Sequence, residues 1–330
     1  MPIEELRSRR FHARSNALET IKGVNLAGKT FVITGTTSGI GIETARSLAL
    51  NGAHVVMLNR NIEESNKLKK KIVAEMYDAE VDIIPCDLNS LKSVKHATEE
   101  FIAREWPIDC LILNAGVFGT ASKTTKDGLE SHFAINHLAH FLLLRELLPI
   151  IRQSAPARII IVSSSVHSQT GISSRMTLDQ KLRTLSPRSS EDATWFRLYA
   201  RSKLCNLLTA FKLHRNEYNN EISTYAVHPG NGVRTSIFRD SWLRFASVLS
   251  TPFTKNLSQG AATTVYCAGN PEVEKVSGKY WESCWDDEKT LDTKVARDEE
   301  LQDAIWKHSE ELLEQFLEEE QKKDSCLFQC

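Results

Sequence analysis

The chain has 330 residues, 41% of them hydrophobic and 25% charged, with a formal net charge of −1. That composition suits a globular protein with a sizeable core, and near-neutrality excludes a global basic footprint for nucleic acid or an anionic membrane. No apolar run approaches the roughly 20 residues of a membrane span, and the basic start MPIEELRSRRFHAR lacks the apolar centre of a signal peptide.

Residues 1–25 are mostly polar and read as an N-terminal arm. The first strand is expected over Lys29–Thr34 (KTFVIT), a short β-branched run that ends at a glycine. A helix follows from Ile40, a second strand covers Ala53–Leu58, and a charged helix covers Ile62–Met76. The third strand is Val81–Ile84, followed by an amphipathic helix over Ser90–Arg104 and a fourth strand over Asp109–Leu113. A long helix from about Gly128 to Gln153 leads to the fifth strand, Arg158–Val162. Next come the helix carrying Tyr199 and Lys203 and a sixth strand, Ile222–Val227.

Strands alternating with helices predict an α/β fold, here a doubly wound Rossmann domain with a parallel sheet and helices on both faces. At ~150 residues per domain the length allows two domains. No repeat, low-complexity tract or linker marks a boundary, so one domain over 26–290 is expected, with a C-terminal helix and tail in 291–330. Two segments interrupt the alternation. Residues 168–195 are polar and irregular, an inserted segment. Residues 236–253 carry Ile237, Phe238, Trp242, Leu243, Phe245, Val248, Leu249 and Phe253, as either a core-facing helix or a substrate flap at the carboxyl edge of the sheet. Residues 297–323 place Leu301, Ile305, Leu312, Leu313, Phe316 and Leu317 along one side of a helix expected to pack on the domain.

Strand one runs into Gly35-Thr36-Thr37-Ser38-Gly39-Ile40-Gly41, which opens a helix. Glycines there allow a tight turn and close approach of a pyrophosphate, while the helix N-terminus offers unpaired N–H groups. Strand two ends at Asn59-Arg60. An acidic residue there would hold a ribose hydroxyl and repel a 2′-phosphate, whereas a guanidinium suits the phosphate, so NADP(H) is expected over NAD(H).

Tyr199 and Lys203 stand four residues apart on one helix face. A phenol beside an ammonium can deliver or take the proton of a carbonyl–alcohol interconversion. Depressing a pKa near ~10 to neutrality takes ~4 kcal/mol, which the Lys203 charge is expected to help supply. Strand five ends in Ser163-Ser164-Ser165, where a hydroxyl can stabilise charge developing on the substrate oxygen. Asn114-Ala115-Gly116 ends strand four as a small turn beside the cofactor. Asp87-Leu88 follows strand three, with the carboxylate placed for an adenine amino group. His228-Pro229-Gly230 ends strand six and leads to Thr235.

With these pieces in place, the sequence resembles the short-chain dehydrogenase/reductase superfamily over about residues 26–285. The resemblance rests on TGTTSGIG, DL, NAG, the serine cluster, YARSK and HPG. It implies a catalytic set of Ser164, Tyr199, Lys203 and Asn136 (in INHLAHF), with Ser164 chosen by register and Ser163 and Ser165 kept as alternatives. RQSAPARIIIVSSSVH, AVHPGN and QGAATTVYCAGNPE are similar to the oxidoreductase part of the WW domain-containing oxidoreductases. That branch lies near the retinol dehydrogenases, where an arginine after strand two goes with NADP(H). No tryptophan precedes Trp106, so N-terminal WW modules are not expected. The Ser164-to-Tyr199 gap is longer than is usual in the family, which implies a reshaped substrate mouth.

The expected activity is NADP(H)-dependent interconversion of an alcohol and a carbonyl on a small hydrophobic substrate: a steroid, retinoid or lipid carbonyl. The alternative from another class is a nucleotide-bound scaffold or redox sensor acting through partners. His137 and His140 have no third ligand at motif spacing, so no metal is expected. The 7 cysteines include no CxxC pair, which points to reduced thiols and a cytoplasmic protein. Leu327 at position −4 excludes a prenylation box, leaving Cys326 and Cys330 as palmitoylation candidates. Nucleic acid is not an expected partner; a homodimer is compatible with the sequence.

Overall fold

The structure is a computed structural model that describes residues 10–120, 122–187, 193–230 and 255–327. The β-branched runs become strands β1 (Thr30–Thr34), β2 (His54–Asn59), β3 (Val81–Pro85), β4 (Cys110–Leu113), β5 (Ala157–Val162) and β6 (Ile222–His228). A further strand, β7 (Lys279–Glu282), was not expected. KYWE has no β-branched residue and only four positions, and it becomes a strand by pairing with the edge of β6. The sheet order is β3-β2-β1-β4-β5-β6-β7, and every adjacent pair is parallel. This is the doubly wound Rossmann arrangement. The order reverses between β1 and β4, which opens a crevice at the carboxyl ends of the strands.

The helices are α1 (Ala17–Thr20), α2 (Ile40–Ala49), α3 (Ile62–Glu75), α4 (Leu91–Ala103), α5 (Ser131–Phe133), α6 (Ala139–Gln153), α7 (Leu178–Leu185), α8 (Trp195–Glu217), α9 (Leu257–Gly269), α10 (Thr293–Ala296) and α11 (Glu299–Leu327). Two apolar cores cover the two faces of the sheet. Val32, Ile159 and Ile161 meet Phe101 of α4, Leu142 of α6, Leu204 and Leu208 of α8 and Ile305 of α11. Phe31, Ile33 and Ile160 meet Leu48 of α2, Ile72 of α3, Val265 of α9 and Ile21, which caps α1. Consecutive strand residues are therefore buried on opposite faces, each large aliphatic side chain contributing ~1.5–3 kcal/mol.

Between α5 and α6 the chain passes through a π-helical turn, Ala134–Leu138. The continuous run Ser131–Gln153 is long and apolar enough, by composition, to cross a membrane, with a mean hydropathy of 1.3. This corrects the expectation that no such run exists. With 78% of that apolar window buried inside the fold, it packs as a core helix.

The inserted segment is more regular than its composition suggests. Thr177 and Gln180 form a reciprocal capping box that starts α7. Lys181 Nζ then pairs with Asp298 Oδ2 at 2.6 Å, and His308 Nε2 lies 3.0 Å from Ser186 Oγ, tying the insert to α11. Leu301, Ile305 and Leu313 of α11 are buried, as expected for a packed amphipathic helix. Residues 188–192 of the insert, Thr235, the whole 236–253 segment, the Cys326 side chain and Cys330 lie outside the described residues.

Candidate active site

The nucleotide turn is shaped by backbone that only glycine tolerates. Gly35 has φ +74°, and a Cβ there would stand 2.8 Å from the Cα of Ala115. A Cβ on Gly41 would come within 2.1 Å of the Gly35 carbonyl oxygen. The α2 N-cap, Gly39, supplies no side-chain cap, whereas α3, α4, α8 and α9 are capped by Asn61, Ser90, Thr194 and Asn256. The first amides of α2 thus keep their capacity for an anion. Thr37, Ser38 and Ile40 lie along this turn and the start of α2.

Asn59 latches the turn from β2. Its Oδ1 accepts from the Thr36 amide at 2.8 Å, and its Nδ2 donates to Thr36 Oγ1 at 2.6 Å and Ser65 Oγ at 3.0 Å. Arg60 beside it is exposed and makes no ion pair among the described residues. Asn114 donates to the carbonyls of Thr34 at 2.9 Å and Gly35 at 3.1 Å, and its buried Oδ1 has no partner among the described residues. Such an orphaned acceptor fits a ligand hydroxyl. Asp87 is already engaged: Lys126 Nζ lies 3.0 Å from Oδ2, and Oδ1 accepts from the Asn89 amide at 3.1 Å. Leu88 packs at the border of the core.

Helix α8 brings Tyr199 and Lys203 to the end of β5. The serines there separate by role. Ser163 Oγ donates to the Lys203 carbonyl at 2.7 Å, while the Ser164 side chain lies close enough to the Tyr199 hydroxyl to favour its ionised form. Lys203 is buried and donates to the Val162 carbonyl at 3.1 Å; burial lowers its pKa to about 8. Tyr199 keeps some exposed surface, yet desolvation pushes its pKa up to about 12, only partly offset by the nearby Ser164 hydroxyl. Lys203 Nζ lies 5.6 Å from the Tyr199 ring centroid, and desolvation sets the direction of the Tyr199 shift. A Cβ on Gly116 would sit 3.2 Å from Lys203 Nζ, so the small NAG turn leaves room for the ammonium.

Asn136 lies in the π-helical turn, a distortion often found at functional sites. Its Oδ1 accepts from the Val117 amide at 2.7 Å, and its Nδ2 donates to the Val117 carbonyl at 3.1 Å and Ser202 Oγ at 3.0 Å. Its carbonyl faces His140 Nδ1 at 3.3 Å. Thr34 Oγ1 accepts from the Asn114 and Ala115 amides at 3.0 Å each, so its hydrogen is left for His140 Nε2, 2.9 Å away. His140 then carries its proton on Nδ1 and donates to Asn136. His137 Nε2 meets Ser309 Oγ of α11 at 2.9 Å. Burial lowers the pKa of both rings to about 3.

Several supporting residues escape a sequence reading. His167 donates from Nδ1 to the Ser164 carbonyl at 2.7 Å and accepts the Asp292 amide on Nε2 at 3.0 Å, bracing the serine loop against the C-terminal region. Asn59 and His167 carry no motif signal. The signal for His140 is its i+4 spacing from Asn136. At the mouth of the site the Phe118 ring stands edge-on to Tyr199 at 5.1 Å, and Trp195 and Phe196 are 54% and 39% exposed. Pro229 and Gly230 follow β6, Gly230 with φ +95° and the ammonium of Lys255 beside it.

The profile of the short chain dehydrogenase family matches residues 29–176. WW domain-containing oxidoreductase from Gallus gallus is 41% identical over 319 residues, covering 96% of this chain and 75% of that protein. Retinol dehydrogenase 12 from Mus musculus is 36% identical over 291 residues, 88% of each chain. The crystal structure of an uncharacterized protein from Mycobacterium paratuberculosis superposes with a TM-score of 0.64 at 27% identity, covering 89% of this chain and 96% of that one. The fold, the nucleotide turn and these relatives agree: the chain belongs to the short-chain dehydrogenase/reductase family of nicotinamide-dependent oxidoreductases.

Proposed function

We propose that the protein is an NADP(H)-dependent oxidoreductase that interconverts an alcohol and a carbonyl on a hydrophobic substrate, with Tyr199 handling the proton. The observation that carries this reading is the placement of Tyr199 and Lys203 by α8 at the end of β5, with Ser164 close to the phenol and burial favouring its protonated form. A protonated phenol beside a second hydroxyl suits reduction. Ser164 donates to the substrate carbonyl oxygen, and Tyr199 delivers its proton as negative charge develops there. The bound nicotinamide supplies the hydride to the carbonyl carbon, or accepts it in the reverse direction. Lys203 holds the nicotinamide ribose hydroxyls, and with Asn136 it bounds a water path that returns a proton to Tyr199.

The nucleotide residues fit that cofactor. The uncapped α2 N-terminus, with Gly35, Thr37, Ser38, Gly39, Ile40 and Gly41, receives the pyrophosphate. Unpaired Asn114 Oδ1 accepts from a hydroxyl, and Arg60 takes the 2′-phosphate through charge-assisted hydrogen bonds. Asp87 and Leu88 would border the adenine, Ala115 and Gly116 would lie against the nucleotide, and Pro229 and Gly230 would border the nicotinamide. The exposed aromatic rings Trp195 and Phe196 favour an apolar substrate, such as a steroid, retinoid or lipid carbonyl.

The test is NADPH oxidation, compared with NADH, across steroid, retinoid and aliphatic carbonyls, with Tyr199→Phe as control. Turnover that disappears in the variant supports the enzyme and identifies its substrate class. Tight NADPH binding with no turnover across the panel would instead favour the nucleotide-bound scaffold or sensor.

A further inference from the structure

A buried carboxylate and imidazole, Glu130 and His132, stand beside Tyr199 without belonging to the set that handles hydride and proton. Both side chains are 2% exposed, and a carboxylate so placed is costly unless its oxygens are hydrogen-bonded. They are. Glu130 Oε1 accepts from the His132 amide at 2.9 Å and from His132 Nδ1 at 2.8 Å, and Oε2 accepts from the Phe133 amide at 2.8 Å. The amide bonds alone would cap α5, as a shorter polar residue also could; the imidazole adds something a cap does not need.

Donation from Nδ1 to the carboxylate leaves the Nε2 lone pair as an acceptor, and it receives the Gly119 amide at 3.2 Å. Gly119 has φ +63°, and a Cβ there would stand 3.4 Å from the Trp195 ring. Two residues earlier, Val117 is held on both its amide and its carbonyl by Asn136. The loop is thus pinned on either side of Phe118, whose ring meets the edge of the Tyr199 ring. Without the Gly119 bond the loop would lose its His132 anchor just after Phe118, and the Phe118 ring would be held less firmly against Tyr199.

We infer that Glu130 and His132 are positioning residues: together they fix the loop carrying Phe118 as a wall of the substrate cleft, and so set which hydrophobic carbonyls are accepted. This rests on the proposed role of Tyr199. A fixed aromatic wall gives an apolar substrate a preformed surface at little ordering cost. A mobile one weakens binding of large apolar substrates more than of small ones.

The test compares His132→Phe, which fills the ring volume but offers no acceptor, with His132→Gln, whose amide can donate to Glu130 and accept from Gly119. KM and kcat are measured at saturating NADPH for a hydrophobic and a small carbonyl, with NADPH affinity and amide hydrogen exchange at 117–119. His132→Phe is expected to raise KM for the hydrophobic substrate about tenfold, with kcat within about threefold of wild type. NADPH affinity should hold, protection of the Gly119 amide should be lost, and His132→Gln should restore both KM and protection. Unchanged KM or unchanged Gly119 protection in His132→Phe would overturn the inference. So would a loss of NADPH affinity and of protection throughout the core that the glutamine does not rescue. If wild type shows no Tyr199-dependent turnover, the reading of the reaction fails, and exchange at Gly119 still decides whether the latch exists.

Discussion

The nucleotide turn and the catalytic cluster share the carboxyl edge of one sheet, yet they are assembled differently. The turn owes its shape largely to its own backbone, where Gly35 and Gly41 permit the close approach and α2 is left uncapped, with side-chain ties from Asn59, 23 residues along, and Asn114, 80 residues from Thr34. The catalytic cluster depends on side-chain partners throughout. Asn136 is bonded to Ser202 across 66 residues, His167 to Asp292 across 125, and His137 to Ser309 across 172. Substitutions on the nucleotide side should therefore act on cofactor affinity with little effect elsewhere. Substitutions on the catalytic side should act on turnover, and those among its supports on stability as well.

The largest separation between the two regions is expected for Tyr199→Phe. Turnover should fall about a thousandfold with NADPH affinity unchanged, read by steady-state kinetics beside a fluorescence titration. Retained turnover would take Tyr199 out of the proton path. Gly41→Ala should do the reverse. With a Cβ placed against the Gly35 carbonyl, calorimetry should show NADPH affinity about a hundredfold weaker, or ~2.7 kcal/mol, and undisturbed binding would mean the pyrophosphate lies elsewhere.

Arg60→Ala should lower the preference for NADPH over NADH about thirtyfold, corresponding to ~2 kcal/mol for a charge-assisted contact. The ratio of kcat/KM values for the two cofactors measures this, and an unchanged ratio would reassign the specificity. A pH profile probes Lys203, whose burial lowers its pKa to about 8. The ammonium is charged below that pH and neutral above it. If its charge holds the ribose, kcat/KM should fall about tenfold per unit as pH rises past about 8, and Lys203→Arg should extend activity upward. A flat profile from about pH 7 to about pH 10 would remove the charge from the mechanism.

The smallest effect concerns the supports. Lys181→Met breaks the tie between α7 and Asp298 and should lower stability by about 1 kcal/mol in urea unfolding, with NADPH affinity unchanged. Weakened NADPH binding in this variant would show that the two regions are coupled more closely than their construction suggests.

Much of this protein was legible without its tertiary structure. β1 to β6 were readable because continuous β-branched runs suit strands buried on both faces, and the nucleotide turn because glycine spacing constrains backbone directly. The four-residue spacing of Tyr199 and Lys203 places them on one face of any helix. Other features depended on partners that spacing does not name. KYWE is a strand because β6 offers it an edge, and the polar insert holds a helix because Thr177 and Gln180 cap it and Asp298 anchors it. Ser163 is committed to the Lys203 carbonyl, 40 residues away, which leaves Ser164 as the serine nearest the phenol's chemistry. The phenol has a raised pKa, where a lysine four residues away suggested a lowered one, because desolvation outweighs a charge directed at Val162. Sequence alone determined what adjacent residues control, namely backbone conformation and periodicity. Tertiary structure decided hydrogen-bond partners and burial, since both depend on which distant segments the fold brings together.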